Sequence, residues 1–440
     1  MILAHGLHGR SDLPVPLWLA LYTGAAAVLV SFVVLAFMWT KPRLAGADAG
    51  RPLPALVERF VDSRALRFGL QAAGLVFFVL LLAAAWAGTN SSFTNPASTW
   101  FYVWFWLGVI ALSLVFGRIY RVANPLRILA RGLAPLLYRP GREASLDKLA
   151  FWPAIAGLAG FLWLELVYPA SDSPRAIAVF VTLYALTMAV AGAYYGPKWF
   201  ERGDGFEVYF TLIARLSPFG RRNDGRIVVR SPLNGLLDGP SHGLTPVLLL
   251  ILGSTTFDGV TRIPMWPDFV DPLTPFWTAV AGTIALAATV GFLSAMYVGA
   301  MWLTRPYLRK PRRGEPPVDL YGAFAHSLIP LALGYTIAHY FSFAIFQGQA
   351  GFLLATDPFG QGWDLFGTAG TGINYAVLST GLIALVQVGA IIVGHIVAVV
   401  SAHDRALQII RPDYKKTGQY PALALMVGYT VIGIVLVSSV

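Results

Sequence analysis

Five Asp, Glu or His side chains lie inside long apolar runs of this sequence, where they could carry chemistry: Glu165, Asp258, His326, His339 and His395. An ionisable side chain at membrane depth is costly, so it usually faces protein, water or a ligand. His339 lies in the outer half of the apolar run at 321–346. Tyr335 precedes it by one helical turn and could hydrogen-bond an adjacent ligand.

The first group of these residues is predicted to lie toward the outer face. Glu165, Asp258 and His339 belong to segments that all run from inside to outside, and His5 and His8 could join them from above. Carboxylates and imidazoles without a thiolate suit zinc, manganese or iron, and they equally suit a metal-free acid–base site. The prediction is therefore a site with Asp258, His339, Tyr335 and Glu165 as catalytic residues and His339, Asp258, His5 and His8 as metal ligands.

Three residues of this group also have a simpler interpretation. Glu165 lies near the end of its run, so it could reach interfacial water, or it could face a protein interior with a raised pKa. The segment that carries His5 and His8 could be a solvated terminal peptide or a metal-ligand arm. Gly6 and Gly9 weaken any helix there.

The second group is predicted to lie toward the inner face. His326 and His395 fall at similar depth on neighbouring segments, so they could ligate one b-type haem as cofactor-binding residues. They could also donate hydrogen bonds to main-chain carbonyls while packing the bundle.

The composition limits the chemistry further. Of 440 residues, 56% are hydrophobic and 12% are charged, against about 25% charged in soluble domains. The absence of cysteine excludes disulfides, thiol nucleophiles and thiolate metal sites. Any metal would need His, Asp, Glu or main-chain oxygen ligands.

Ten apolar runs are long enough to span a bilayer, for which about 20 residues are needed. Helices are the expected form, because an isolated strand would leave its backbone groups unpaired in lipid. The fold class is therefore all-α, a polytopic transmembrane bundle forming a single membrane domain over 1–440. The ten runs are 16–38, 69–88, 98–117, 150–168, 176–195, 243–260, 276–303, 321–346, 375–402 and 421–440.

The basic residues predict the orientation. Of 32 Lys and Arg, all but Arg10, Arg175 and Arg262 lie in five segments between the runs. The positive-inside rule places these segments in the cytoplasm and both termini outside, in a multi-pass protein of the cytoplasmic membrane. The net charge of +10 is thus topological, and nucleic acid is not an expected partner. The segments are 39–68, 118–149, 197–242, 304–320 and 403–420.

Three stretches have predicted roles at the membrane surface. Arg127 and its neighbours at 118–138 are expected near anionic headgroups. The sequence at 206–222 is expected to form an interfacial helix, followed by a hairpin at Asn223-Asp224-Gly225. The aromatic run STWFYVWFWLG, which begins at Ser98, is typical of an interfacial aromatic belt.

Four stretches give the chain a resemblance to a known family. HGLHGRSDLPVP at 5–16, TTFDG at 255–259, AHYFSFAIFQGQ at 338–349 and AHDRAL at 402–407 resemble the integral-membrane proteins known as fenitrothion hydrolases. The resemblance implies a polytopic membrane protein acting on organophosphorus triesters. It supplies no catalytic residues, and the His-x-His motif of soluble barrel-type phosphotriesterases is absent from the sequence.

Three classes of function follow from these patterns. A membrane-bound hydrolase of small hydrophobic esters would use the outer group, with bound metal. A transporter would need a polar path that joins the outer and inner groups. A haem or quinone redox protein, working with a partner membrane subunit, would need His326 and His395 to face one another. The hydrolase is the favoured interpretation.

Overall fold

The computed structural model describes residues 17–238, 243–311, 314 and 317–438. Nearly all of its regular structure is helical. The first nine α-helices are α1 (Leu17–Met38), α2 (Ala55–Val61), α3 (Arg64–Ala87), α4 (Ala97–Thr99), α5 (Gly108–Phe116), α6 (Ile119–Ala123), α7 (Pro125–Leu137), α8 (Leu146–Leu149) and α9 (Trp152–Leu166). A π-helix over Trp100–Leu107 joins α4 to α5.

The second part of the chain contains the remaining α-helices. They are α10 (Pro174–Tyr195), α11 (Gly205–Ile213), α12 (Pro232–Gly235), α13 (Thr245–Thr261), α14 (Met265–Val270), α15 (Pro275–Thr304), α16 (Leu320–Ala323), α17 (Ala325–Leu354), α18 (Thr380–Ile409) and α19 (Tyr420–Ser438). Short 3-10 helices lie at Gly46–Asp48, Arg142–Ser145, Pro197–Glu201, Ala214–Leu216, Arg305–Tyr307, Tyr375–Val377, Pro412–Tyr414 and Thr417–Gln419.

A helix coincides with each of the ten predicted runs. Within the described residues, eight helices are long and apolar enough to cross a membrane, or nine if α8 and α9 with the preceding 3-10 turn form one span bent by 60°. The remaining run corresponds to α13, which has 17 residues. A mostly helical fold, with several helices that are long and apolar enough to span a membrane, is therefore confirmed. The exact number of spans and the side on which the termini lie stay predictions.

The strands form one small antiparallel sheet in the order β1–β3–β2. Its members are β1 (Arg51–Pro52), β2 (Phe219–Arg221) and β3 (Ile227–Val229). In the hairpin Phe219 pairs with Val229 and Arg221 with Ile227, and Gly225 takes the positive φ of +83° that the turn requires. The predicted hairpin is confirmed.

The chain divides into two compact units. The first contains Gly50–Pro232 and Ser342–Val377, and the second contains, as far as they are described, residues 17–49, 233–341 and 378–438. Helix α17 passes from the second unit to the first between Phe341 and Ser342.

The core of the first unit is aromatic, and two surface predictions are wrong there. Phe101 and Trp106 are buried, because the π-helix packs them against α9 and α11 rather than facing an interface. Helix α11 is buried on nearly all sides instead of lying on the membrane surface. Its Phe206 and Phe210 contact the aromatic run directly, and burial of such rings is strongly favourable.

The second unit packs long helices closely. Helix α1 lies against α18 and α19, and α15 lies against α13 and α19. Helices α17 and α18 cross at Gly334 and Gly394, whose Cα atoms face main-chain carbonyls of the opposite helix. A Cβ at Gly394 would lie 2.7 Å from the Pro330 oxygen. Small residues permit this kind of approach in membrane bundles.

Candidate acid–base site

The second unit brings Asp258 and His339 together. Asp258 lies in the last turn of α13, and His339 lies midway along α17. Both side chains are buried, with exposures of 1% and 6%. The contact between these two residues, which the depth argument predicted, is present.

The geometry joins three side chains. His339 Nε2 contacts Asp258 Oδ2 directly. Arg262 Nη2 lies 2.8 Å from the same Nε2 and 3.9 Å from Asp258 Oδ2. Arg262 is the most exposed of the three residues, with a side chain that is 29% exposed. The three residues form an Asp–His–Arg cluster, the name used below.

The contacts of Nε2 determine how protons are arranged. A guanidinium only donates, and an ionised carboxylate only accepts. One imidazole nitrogen cannot donate to Asp258 and accept from Arg262 at the same moment. A proton on Nε2 therefore strengthens the contact with Asp258, and loss of that proton favours Arg262. An arrangement of this kind can take up and release a proton, which is the capacity that general acid–base catalysis needs.

Sequence reasoning missed Arg262. The charge pattern only places it outside the five basic segments, whereas it lies directly after α13 and one turn from Asp258. The Asp258–Arg262 spacing of i, i+4 is the signal that could have found it, because residues four apart share a helix face.

The cluster does not fit a metal ion. Across the described ranges no three His, Asp or Glu side chains assemble as a metal site. The Asp258 oxygen and the His339 nitrogen face each other in direct contact, and a guanidinium lies at the same nitrogen. A divalent cation would have to displace that positive charge. The contacts of these three residues suit the metal-free alternative; the predicted metal site, whose other ligands His5 and His8 lie outside the described residues, stays a prediction.

The other predicted catalytic residues are placed elsewhere. The Tyr335 hydroxyl donates to the main-chain oxygen of Tyr429 at 2.8 Å. Its proton is therefore used in that bond and is not offered to a ligand beside His339. Glu165 belongs to the first unit, where it is 9% exposed near the end of α9 and acts electrostatically on Tyr102. Its predicted membership in the site stays a prediction.

The inner histidines bond to main-chain carbonyls, as one of the two interpretations predicted. His395 Nδ1 lies 2.9 Å from the Ile391 oxygen, and His326 Nε2 lies 3.2 Å from the Ser401 oxygen. The His395 ring also packs against the rings of Tyr335 and Tyr429. These contacts give both residues a structural role; haem ligation stays a prediction.

The residues of the AHDRAL motif anchor the end of α1. Asp404 accepts hydrogen bonds from Trp39 Nε1 at 2.9 Å and from the Arg43 amide at 2.6 Å. His403 contacts Gln419 Oε1 at 2.8 Å and the Trp39 oxygen at 2.9 Å. The two contacts hold the His403 ring between the end of α1 and the Gln419 side chain.

The first unit contains a separate buried polar cluster. Asn124 caps α7 and Asp204 caps α11, and Asn124 Nδ2 donates to Asp204 Oδ2 at 2.9 Å and to Glu207 Oε2 at 3.0 Å. Arg127 donates twice to Glu207, at 2.7 and 2.5 Å. Arg127 is 8% exposed, so its predicted place among lipid headgroups is wrong: the bidentate pair holds it inside.

Burial shapes the electrostatics of this second cluster. It raises the pKa of Asp204 from 3.8 to about 6, with the nearby Glu207 charge adding to the effect. Burial alone would lower the pKa of the Arg127 guanidinium, but the bond and charge of Glu207 raise it overall. Every carboxylate oxygen meets a donor, so the cluster is well satisfied as a structural element.

Comparisons with known proteins add nothing to this geometry. Searches against protein-family models, curated proteins and solved structures each return no match. The function has to be argued from the clusters themselves.

Proposed function

We propose that this membrane protein is a metal-free hydrolase of lipid-soluble esters, with the Asp–His–Arg cluster as its acid–base centre. The observation that carries the proposal is the contact of one imidazole nitrogen, His339 Nε2, with both Asp258 and Arg262. The cluster is buried in a unit built from apolar helices, so a substrate that dissolves in the bilayer could approach it. The resemblance to fenitrothion hydrolases supports organophosphorus triesters as the substrate class.

The proposed step uses His339 as the base. With Nε2–H directed to Asp258, the other ring nitrogen accepts a proton from water. The water oxygen bonds to phosphorus, the bond from phosphorus to the leaving oxygen breaks, and the proton passes from His339 to that oxygen. Asp258 stabilises the imidazolium that exists between these transfers, as an orienting carboxylate does in other hydrolases.

Arg262 completes the proposed site. Its guanidinium has five N–H donors, and its partly exposed side chain leaves some of them for a substrate oxygen. Donors placed where negative charge develops lower the barrier. The substrate would therefore extend from the Arg262 guanidinium, which binds its phosphoryl oxygen, to His339 Nδ1, which takes the proton of the attacking water.

A second candidate, proton-coupled transport, is favoured by polar groups that continue inward through the second unit. The Thr256 hydroxyl lies 3.0 Å from the Tyr429 hydroxyl, and Tyr335 bonds to Tyr429. Next to both tyrosines, His395 has a buried Nε2 that lacks a hydrogen-bond partner among the described residues. A proton path could use these groups, but their contacts are less continuous than the cluster above.

Hydrolysis of a chromogenic nitrophenyl phosphotriester by the purified protein in phosphatidylcholine vesicles tests the proposal. Asp258→Asn should lower the rate about 10²–10⁴-fold, the usual contribution of acid–base catalysis. Asp268→Asn, at an exposed carboxylate on the neighbouring α14, should keep the wild-type rate. Proton uptake into the vesicles without hydrolysis would instead favour transport and would reject the hydrolase.

A further inference from the structure

The second unit holds two arginines close together at the end of α18. Arg405 lies in the last part of that helix, and Arg309 follows the 3-10 turn that ends α15. Both bond to Gln408: Arg405 Nη1 donates to Gln408 Oε1 at 2.9 Å, and Arg309 Nε donates to the main-chain oxygen at 3.0 Å. The positive charge of Arg309 acts electrostatically on Arg405. Two like charges are therefore held at one residue.

The main chain fixes this arrangement. An isolated antiparallel bridge joins the segment after α15 to the end of α18. The Arg309 amide donates to the Ile409 oxygen at 2.9 Å. The Arg411 amide donates to the Tyr307 oxygen at 3.0 Å. Side chains on a backbone that is already ordered lose less entropy when they bind a ligand, so the pair of arginines is prepared for one.

The charge of Arg405 is not neutralised by the acidic residue beside it. Asp404 accepts from Trp39 Nε1 and the Arg43 amide through Oδ1, and from Gln408 through Oδ2. Over the part of the chain that the structure describes, Arg405 bonds to a neutral amide oxygen and to no carboxylate. That bond uses one of its five N–H donors. The side chain is only partly exposed, and a charge taken from water is costly unless an opposite charge joins it.

The position of the two arginines suits a phosphate group. Arg309 and Arg405 belong to the basic segments 304–320 and 403–420, and Arg405 lies three residues beyond the apolar run 375–402. Lipid headgroups lie where the hydrocarbon core of a bilayer ends, and basic pockets beside spanning helices bind anionic headgroups. The planar fork of a guanidinium matches the oxygens of phosphate.

We infer that Arg309 and Arg405 together bind one phosphate group, with the Arg405 guanidinium as the principal donor. An anionic lipid headgroup and free phosphate offer the same oxygens, and binding measurements separate these two sources. The site does not depend on the proposed hydrolase activity, because neither arginine belongs to the Asp–His–Arg cluster.

Thermal unfolding of the purified protein in detergent, at fixed ionic strength, tests the inference. A ligand of the folded state raises the midpoint temperature as its concentration rises. Dioctanoyl phosphatidic acid should raise it, and dioctanoylglycerol, which lacks the phosphate, should not. An equal rise with potassium phosphate at the same concentration would assign the site to free phosphate, and a rise that needs the lipid would assign it to a headgroup.

A pair of variants locates the binding. Arg405→Gln should weaken the apparent affinity about 10–100-fold, the usual loss for hydrogen bonds to a charged group. Arg59→Gln removes the same charge from an exposed position on α2 and should keep the wild-type affinity. No rise in the wild-type midpoint with either phosphate compound, or an undiminished rise in Arg405→Gln, would overturn the inference.

A modification experiment on the wild-type protein keeps the inference testable if Arg405→Gln does not fold. Phenylglyoxal modifies accessible guanidinium groups, and peptide mass spectrometry gives the rate at each arginine. Phosphatidic acid or phosphate, at ten times its dissociation constant, should slow the modification of Arg405 and Arg309 about tenfold. Arg59 should keep its rate. Unchanged rates at Arg405 and Arg309, or equal protection of Arg59, would overturn the inference.

Discussion

Asn124 and Asp204 cap two different helices, and the 2.9 Å hydrogen bond between them joins the first turns of α7 and α11. Helix N-termini stabilise negative charge, so the two first turns help to hold the carboxylates of Asp204 and Glu207. Tyr184 adds a bond of 2.7 Å to Asp204 Oδ1 from α10. The buried cluster therefore ties together three helices of the first unit.

The raised pKa of Asp204 predicts a pH dependence of stability. Its pKa is about 6 in the folded protein against 3.8 otherwise, so the folded state binds the proton more tightly. This tighter proton binding stabilises the folded protein by about 3 kcal/mol. The stabilisation is complete below pH 3.8 and is lost as the pH rises through 6. Asp204→Asn should remove that pH dependence from the free energy of unfolding in detergent. Asp147→Asn, at an exposed carboxylate, should leave it unchanged; an identical pH profile for wild type and Asp204→Asn would contradict the account.

The Arg127–Glu207 pair predicts a contrast between two arginines. Arg127→Met leaves the Glu207 charge buried without its partner, which should cost about 3–5 kcal/mol. Arg121→Met breaks the exposed pair with Glu201 and should cost at most about 1 kcal/mol. Chemical unfolding in detergent measures both. Equal losses from the two variants would show that Arg127 is not held inside as the structure places it.

The crossing of α17 and α18 predicts a contrast between two glycines. Gly394→Ala places a Cβ 2.7 Å from a main-chain oxygen, so the helices must separate, at a cost of about 1–3 kcal/mol. Gly389→Ala lies on the same helix with nothing within 4 Å of the new Cβ and should stabilise it slightly. The midpoint temperature of thermal unfolding should fall for Gly394→Ala and rise for Gly389→Ala. A shift of the same sign in both variants would place the crossing elsewhere.

The sequence predicted much of the fold and about half of the candidate site. The helices of the apolar runs were predictable, because the length of an apolar run can be read directly from the local sequence. The burial of α11 and of Arg127 was not predictable, because basic and amphipathic segments look interfacial until their tertiary partners are known. The contact of Asp258 with His339 could be predicted from their similar depth in their spans. Arg262 was not predicted, because the positive-inside rule treats basic residues only as loop residues.

The charge distribution predicts a labelling pattern that tests the orientation. The chain lacks cysteine, so a single Thr371→Cys in the exposed loop after α17 should react with an impermeant thiol reagent on intact cells. Asn223→Cys, in the exposed hairpin turn, should react only after the membrane is opened. The reverse pattern would invert the predicted orientation and place the Asp–His–Arg cluster toward the cytoplasm.

The central claim is that Asp258 and His339 act as one catalytic unit, and a double-mutant cycle on phosphotriester hydrolysis tests it most directly. The measurement is the nitrophenolate release rate of Asp258→Asn, His339→Gln and the double variant, each with its folding checked by thermal unfolding. Groups that act as a unit are strongly non-additive. We predict that the double variant loses about as much rate as the more damaging of the two single variants. A fold-loss equal to the product of the two single fold-losses, or a wild-type rate in either single variant, would contradict the account.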